Sequence, residues 1–481
     1  MNAIRPIAAL LAAVLAVSAL SSCDSKEPNQ SGSENATLKW IQIGGQPNDL
    51  DAVTKELNRY SSEKIGVQCS FTYLDWGIFG DRVKAILNSG EPFDILFNNG
   101  DYYAPAISLG AFADLTGMLE ETPSLRDFIP ESVWSGVTVN GKIYAVPTYK
   151  DSSQTQYWVW DQEIVDRYQI DYEAIRTCAD LDAPLRTIQD AINRGEITGT
   201  QYAFYNIRDG INGMFMNYDA NICQLGVRID DPNARVVRVL EQPDIQETLT
   251  YMHQWYQDGI INPDAPTITE MPKWVPVSSA QGYPGSEVTW ATQRGKPVAV
   301  QPWAGPVYST GSIMGSVNSI SSASKYQKEA LKYLELCNTD ETMRNLLGNG
   351  IEGVHYTDNG DGTITYDPAR HDDYAPALYS QATFFTLKPV APNLPSQWDK
   401  VRDWNESAKE SVLLGFTFDR SRVENELAAC AAVADRFNYE LYTGASDPAV
   451  KIPEYYAALE KAGLSKIEEE LQRQVDAFLD R

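Results

Sequence analysis

The side chains of this sequence best placed to do chemistry are aromatic rings and neutral amides, not nucleophiles or metal ligands. Trp76, Tyr102, Tyr149, Trp290, Trp303, Tyr308 and Trp398 fall at expected loops and strand ends instead of on helix faces. A flat ring, apolar and weakly negative at its centre, suits the C–H face of a pyranose. Gln46, Asn48, Asn98 and Asn99 carry amides that donate and accept hydrogen bonds, as sugar hydroxyls do. Asp101, Lys150, Asp151 and Arg208 add charged partners beside them. Core packing is the competing explanation for each tryptophan, and a turn or cap for each Asn or Asp.

Other chemistries find little support. His253, His355 and His371 are the only 3 histidines and lack zinc-ligand spacing. There is no G-x-S-x-G elbow and no phosphate loop. The stretch "TDNGDGTITYD" resembles a calcium loop, but an invariant glycine at Gly362 puts Thr357 first and Pro368 last, where an acid is required. It reads instead as a hairpin turning at Asp361-Gly362, and neither a metal nor a cofactor is expected. A net charge of −26 would repel nucleic acid, which is excluded as a partner. With 65 acidic residues, a glycosidase-like carboxylate pair stays open. Beyond Cys23 the cysteines are Cys69, Cys178, Cys223, Cys337 and Cys430, with no C-x-x-C. Buried free thiols are expected, with one or two disulfides as the alternative.

The elements that must position these residues alternate. "TLKWIQIGG", "VQCSFTYLDW" and "FDILFNNG" read as strands, separated by helical "NDLDAVTKELNRYSSEKIG" and "GDRVKAILNSG". That rhythm predicts a parallel α/β sheet with ligands beyond its carboxyl ends, where Gln46, Asn48, Trp76, Asn98, Asn99, Asp101 and Tyr102 fall. Asn140-Gly141 is a hairpin signal. An extended stretch to Trp160 and another at "GKPVAVQPWAGPVYSTG" predict crossings to and from a second lobe, and "GTQYAFYNIRDG" reads as extended within that lobe. "SKYQKEALKYLELCNTDETMRNLLGNG" is helical, as is the tail from Val423 to Tyr442. Ser465 and Glu468 have capping-box spacing for a last helix.

The start of the chain has its own pattern. Arg5 precedes an apolar run from Ile7 to Leu20, too short to span a bilayer and followed by small residues. Leu20-Ser21-Ser22-Cys23 resembles the lipobox of bacterial lipoproteins. The resemblance implies a signal peptide over 1–22, a lipid on Cys23, and a solvated tether over 23–36.

With "GEPFDILF", "NGKIYAVP", "SISSASKYQKEALKYLELC" and "GIEGVHY" in this order, the chain resembles an extracellular solute-binding lipoprotein of a carbohydrate ABC importer. The tail "GFTFDRSRVENELAACAAVADRFNYELYTGASDP" resembles the C-terminal region of the LplA-type subgroup. The resemblance implies a two-lobed α/β fold of the periplasmic-binding type, joined at a hinge and ending in helices. One lobe would hold 37–150 plus 300–350, and the other 151–299 plus 351–481. It implies a monomer on the outer face of the cell membrane that binds an oligosaccharide, glycan fragments included, and docks on ABC permease subunits. It also favours Trp303, between Pro302 and Gly305, and Trp398, after a proline-rich loop, as cleft residues.

A surface glycosidase or lyase, or a receptor for a non-sugar solute such as a peptide, remains the alternative. The lipobox supplies a first prediction. In a host with lipoprotein processing the chain should partition into detergent, and Cys23→Ala should release it or block its maturation. An unmodified Cys23 by mass spectrometry would count against the anchor.

Overall fold

A computed structural model describes residues 36–211 and 213–480. The expected signal peptide, Cys23 and nearly all of the tether lie outside the described residues.

Leu50, Val53, Leu57 and Ser61 recur at helical spacing and form the buried stripe of α1 (Leu50–Ile65). Gly66 ends that helix in the left-handed region, its N–H bonding the Ser62 carbonyl. α1 connects β1 (Ala36–Ile43) to β2 (Val67–Leu74), which pair in parallel. α2 (Phe79–Ser89) leads to β3 (Ile95–Asn98), parallel to β1 and buried at all four positions. The sheet is mixed, however, not wholly parallel. Val317–Ile320 runs antiparallel to β3, and Val146–Pro147 antiparallel beyond it.

The second lobe is built on a four-stranded sheet, ordered Val277–Gln281, Gln154–Asp161, Val298–Tyr308 and Lys409–Glu410. Gln154–Asp161 is the first crossing strand and Val298–Tyr308 the second; they pair antiparallel. Gly305, at φ 88, lies in an irregular stretch of the second. A Cβ there would sit 2.3 Å from the Gln154 carbonyl oxygen, so only glycine allows the approach. "GTQYAFYNIRDG" contributes only two isolated bridges at Phe204, to Ile261 and to Val277, and no continuous strand.

One hydrophobic core fills the first lobe; beside a small cluster of Met216, Ile229 and Val307, two larger cores fill the second. One of these two sits between the three-stranded sheet at Tyr218–Arg238 and the tail helices Glu424–Tyr442, Pro448–Ala462 and Leu464–Leu479. The turn at Gln224 is fastened to those helices. Tyr442 donates to its Oε1 at 2.9 Å, and Tyr456 to its carbonyl at 3.0 Å.

Several local details differ from the sequence reading. The long helix breaks at Asp340, whose extended backbone and side-chain bond to the Met343 N–H start a second helix. Tyr60 also donates to that carboxylate. Ser465 does not cap the last helix: its hydroxyl bonds Glu460, and Gly463 occupies the cap. Residues just after 350, assigned to the second lobe from sequence, put Tyr374 and Ala382 into the first core. Buried Arg344 explains why. It donates to the carbonyls of Thr383, Leu378 and Ala382 and to the Gln381 side chain, holding the segment against the first lobe. Burial pulls its pKa down to about 10, still above neutrality. The hairpins at Asn140-Gly141 and Asp361-Gly362 are present. The five described cysteines are free.

The helix Gln397–Glu406 clamps the first crossing. Buried Asn405 donates to the Lys150 carbonyl at 2.6 Å and accepts from the Ser153 N–H at 3.1 Å and hydroxyl at 2.8 Å. Trp404 donates to Thr155. Asn405→Ala strands these groups, so we expect a loss of roughly 2–4 kcal/mol. Denaturant unfolding checks this, and a change below about 0.5 kcal/mol would show that the clamp is dispensable.

Candidate functional site

The loops beyond β1, β2 and β3 carry the first group of candidates. Gln46 and Asn48 are exposed, and Asn48 reaches Asp373 at 3.4 Å. This loop is latched from below. The Ile351 N–H donates to His355 Nδ1, which leaves Nε2 to carry the proton and donate to Asp49 at 3.2 Å. Arg370 also pairs with Asp49. The His355 hydrogen bond, followed by Arg370, holds the Asp49 carboxyl below its ordinary range. Trp76 is 53% exposed and stacks on Tyr379, ring centroids 5.9 Å apart. Asn99 caps the helix Gly100–Ser108 through the Asp101 N–H, leaving Asp101 exposed. Tyr102 is half-buried, edge-on to Phe79.

A cavity of about 560 Å³ opens where the crossing strands enter the second lobe. Gln154, Val307 and Ser309 line it from the crossings, and Ser279 from the adjoining strand. The rest of its wall comes mainly from residues 204–211 and 213–216, with Tyr205, Asn206, Asp209, Met214, Phe215 and Met216, and from Tyr218, Asn221 and Met271. Amides, hydroxyls, rings and thioethers dominate; Asp209 is the one charged lining residue. Gly213, at φ 82, lets this loop close on the first crossing strand: a Cβ would fall 2.1 Å from Gln156 Cγ.

None of the fifteen sequence candidates lines this cavity. Arg208 is next to lining residues, its guanidinium 3.5 Å from Asp209 and over the Tyr439 ring. Trp303 is closer in character to core than to an open platform. It stacks on buried Trp158 at 4.8 Å and donates to Ser279 Oγ at 3.3 Å. Trp290 packs edge-on to Tyr157, which faces away from Gln156 by strand alternation. Trp398 lies among Phe384 and Tyr283, and its indole N–H is buried without a partner. Lys150 and Asp151 pair with each other at 2.6 Å, largely shielded.

Three candidates belong to the first core. Asn98 is fully buried and donates to Ser319 Oγ at 3.0 Å, because β3 is covered on both faces. Tyr149 packs on Phe385 at 4.4 Å, and Tyr308 is 4% exposed with burial raising its pKa far above the ordinary value. The residues missed lie in "QYAFYNIRDGINGMFMNYD", whose density of Asn, Tyr, Met and Gly was the available signal. Among the described residues no cluster of three or more His, Cys, Asp or Glu could hold a metal ion, and no helix is long and apolar enough to cross a membrane.

These placements separate two tryptophans. Trp303→Ala should lower stability by about 2–3 kcal/mol through lost packing on Trp158, against ~3–5 for a fully buried tryptophan. Trp76→Ala should cost under about 1.5 kcal/mol, since only one stacked face is lost. Thermal and denaturant melts of both variants decide; equal losses would overturn the distinction.

A family model described as bacterial extracellular solute-binding protein matches residues 55–351. A domain of unknown function matches 412–480. A carbohydrate ABC transporter substrate-binding protein of Streptococcus pneumoniae is 26% identical over 98% of this chain and 96% of its own length. The crystal structure of an N-glycan transport solute-binding protein from Streptococcus pneumoniae superposes with a TM-score of 0.85 at 25% identity, covering 93% of this chain and 99% of that one. The same protein in complex with Man5GlcNAc gives 0.72 at 26% identity, covering 92% and 99%. The open choice between binding and catalysis is thereby closed in favour of binding: this two-lobed chain belongs to the bacterial extracellular solute-binding proteins.

Proposed function

We propose that the chain captures a neutral oligosaccharide between its lobes and delivers it to the permease subunits of an ABC importer. The observation that carries this is the cavity at the lobe crossings, walled by amides, hydroxyls and aromatic rings with a single carboxylate. Such a wall matches a polyhydroxylated ligand with apolar ring faces. Exposed Trp76, backed by half-buried Tyr379, supplies a stacking surface on the other lobe. Likeness over nearly the full length to a carbohydrate transport protein supports the class, and the solved relative holding Man5GlcNAc supports a mannose-bearing glycan as a first ligand to try. The weaker superposition on that glycan complex fits lobes that move on binding. In this reading Cys23 carries the lipid that keeps the protein, as a monomer, on the outer face of the membrane. The lobes divide near 150 and 308, where the crossing strands run.

A glycan array followed by calorimetric titration tests the proposal. Saturation at 100 times the dissociation constant should raise stability by about 2.7 kcal/mol. Affinity should change little between low and high salt, because screening acts on charge pairs. Binding of peptides but of no glycan, or a steep loss with salt, would overturn it; the second result would point to Lys150 or Arg208.

A further inference from the structure

We propose that Cys223 and Cys430 close into a disulfide when the protein meets an external disulfide oxidant, stapling the hairpin that carries Tyr218 and Asn221 of the cavity wall to the tail helix Glu424–Tyr442. The proposal holds whatever solute the cavity takes.

Cys223 and Gln224 are the two turn residues between the strands Tyr218–Ile222 and Leu225–Arg228, where Ile222 pairs with Leu225. Both lie in the left-handed region, at φ 51 and φ 64. Two-residue turns of this kind favour Asn-Gly, because other side chains are strained there. Tail side chains hold this turn in place. Tyr442 donates to Gln224 Oε1 at 2.9 Å, and Gln224 Nε2 donates to the Tyr455 hydroxyl at 3.3 Å. Cys430 sits on the same helix as Tyr442 and is fully buried in the core between the hairpin sheet and the tail. Cys223 packs against that core from the turn. The two thiols interact directly, and both neighbour Tyr455.

Access separates the two roles. Of the five described cysteines only Cys223 is not buried, so it is the sulfur that a solvent-borne oxidant reaches first. The Cys223 thiolate attacks a low-molecular-weight disulfide, and the thiol that leaves takes up its proton. The Cys430 sulfur then attacks Cys223 in the mixed disulfide and expels the second thiol, which takes up the Cys430 proton. Two cysteine thiols are oxidised, and one external disulfide is reduced to two thiols. Burial, followed by the adjacent Cys430 thiol, pushes the Cys223 thiol up to about 12, which makes the first attack slow at neutral pH. The family is extracellular, where disulfides persist once formed. The link would close a loop of roughly 200 residues and so restrict the unfolded chain strongly. It would also give the tail helices a defined task, holding one side of the cavity.

The test incubates the whole reduced protein with oxidised glutathione, alkylates the remaining thiols in denaturant, and maps the peptides by mass spectrometry without reductant. The expected map joins Cys223 to Cys430 and finds Cys69, Cys178 and Cys337 alkylated. The melting midpoint should rise by roughly 4 °C or more over the reduced protein. Amide exchange across Tyr218–Arg228 should slow as well. Cys430→Ala should leave Cys223 carrying one glutathione, since nothing resolves the mixed disulfide. Cys223→Ser should abolish both the link and the redox dependence of melting. The wild-type map decides whatever Cys430→Ala does to folding. Cys223 and Cys430 both alkylated after incubation, or Cys223 joined to another cysteine, would overturn the proposal. So would a link that forms but lowers the midpoint, because the native packing would then oppose it.

Discussion

The strand Gln154–Asp161 is the constraint on which the rest of this molecule depends. It is hydrogen-bonded along both edges, to Val277–Gln281 and to Val298–Tyr308. It is buried from Thr155 to Asp161, so each side chain must satisfy one of two filled faces. One face carries Gln156, Trp158 and Trp160, and the other Thr155, Tyr157 and Val159. At its far end Asp161 caps the following helix through the Glu163 and Ile164 N–H groups and accepts from Trp274. At its near end Asn405 fixes the approach. A strand held this firmly ties the sheet of the second lobe to the segment that leaves the first.

The cavity beside that strand is chemically unlike the protein's surface. The chain as a whole is strongly acidic, with a net charge of −26. The cavity wall is neutral apart from Asp209, and Arg208, the neighbour of that residue in the chain, is balanced by its carboxylate and by the Tyr439 face. Such a wall exerts little long-range attraction on an uncharged solute. Affinity must come from ring faces and hydrogen bonds made only at contact. This division leaves surface charge free to keep the protein soluble.

The first lobe supports its exposed Trp76 ring indirectly. Arg344 and the Asp49 latch both act on the segment that follows the helix pair ending at Asn349. That segment carries Tyr379, which backs Trp76. An exposed ring is thus supported by a buried guanidinium from another part of the chain. Rings of this kind, fixed before binding, lose less conformational freedom when a ligand arrives.

The sequence by itself determined the alternating elements of the first lobe, the hairpins at Asn140-Gly141 and Asp361-Gly362, and the helical tail, because each rests on periodicity or turn chemistry within a few residues. The order of its motifs also carried the family. Tertiary structure alone decided which polar and aromatic residues line the cavity. Asn98 and Tyr149 have the same chemistry as Asn206 and Tyr205, yet the first pair fills a core and the second a cavity. Burial depends on partners far away in the chain, Ser319 for Asn98 and Phe385 for Tyr149, and no local pattern encodes them. The segment after Asn349 went to the first lobe for the same reason: a single buried arginine, reading backbone carbonyls, outweighed chain order.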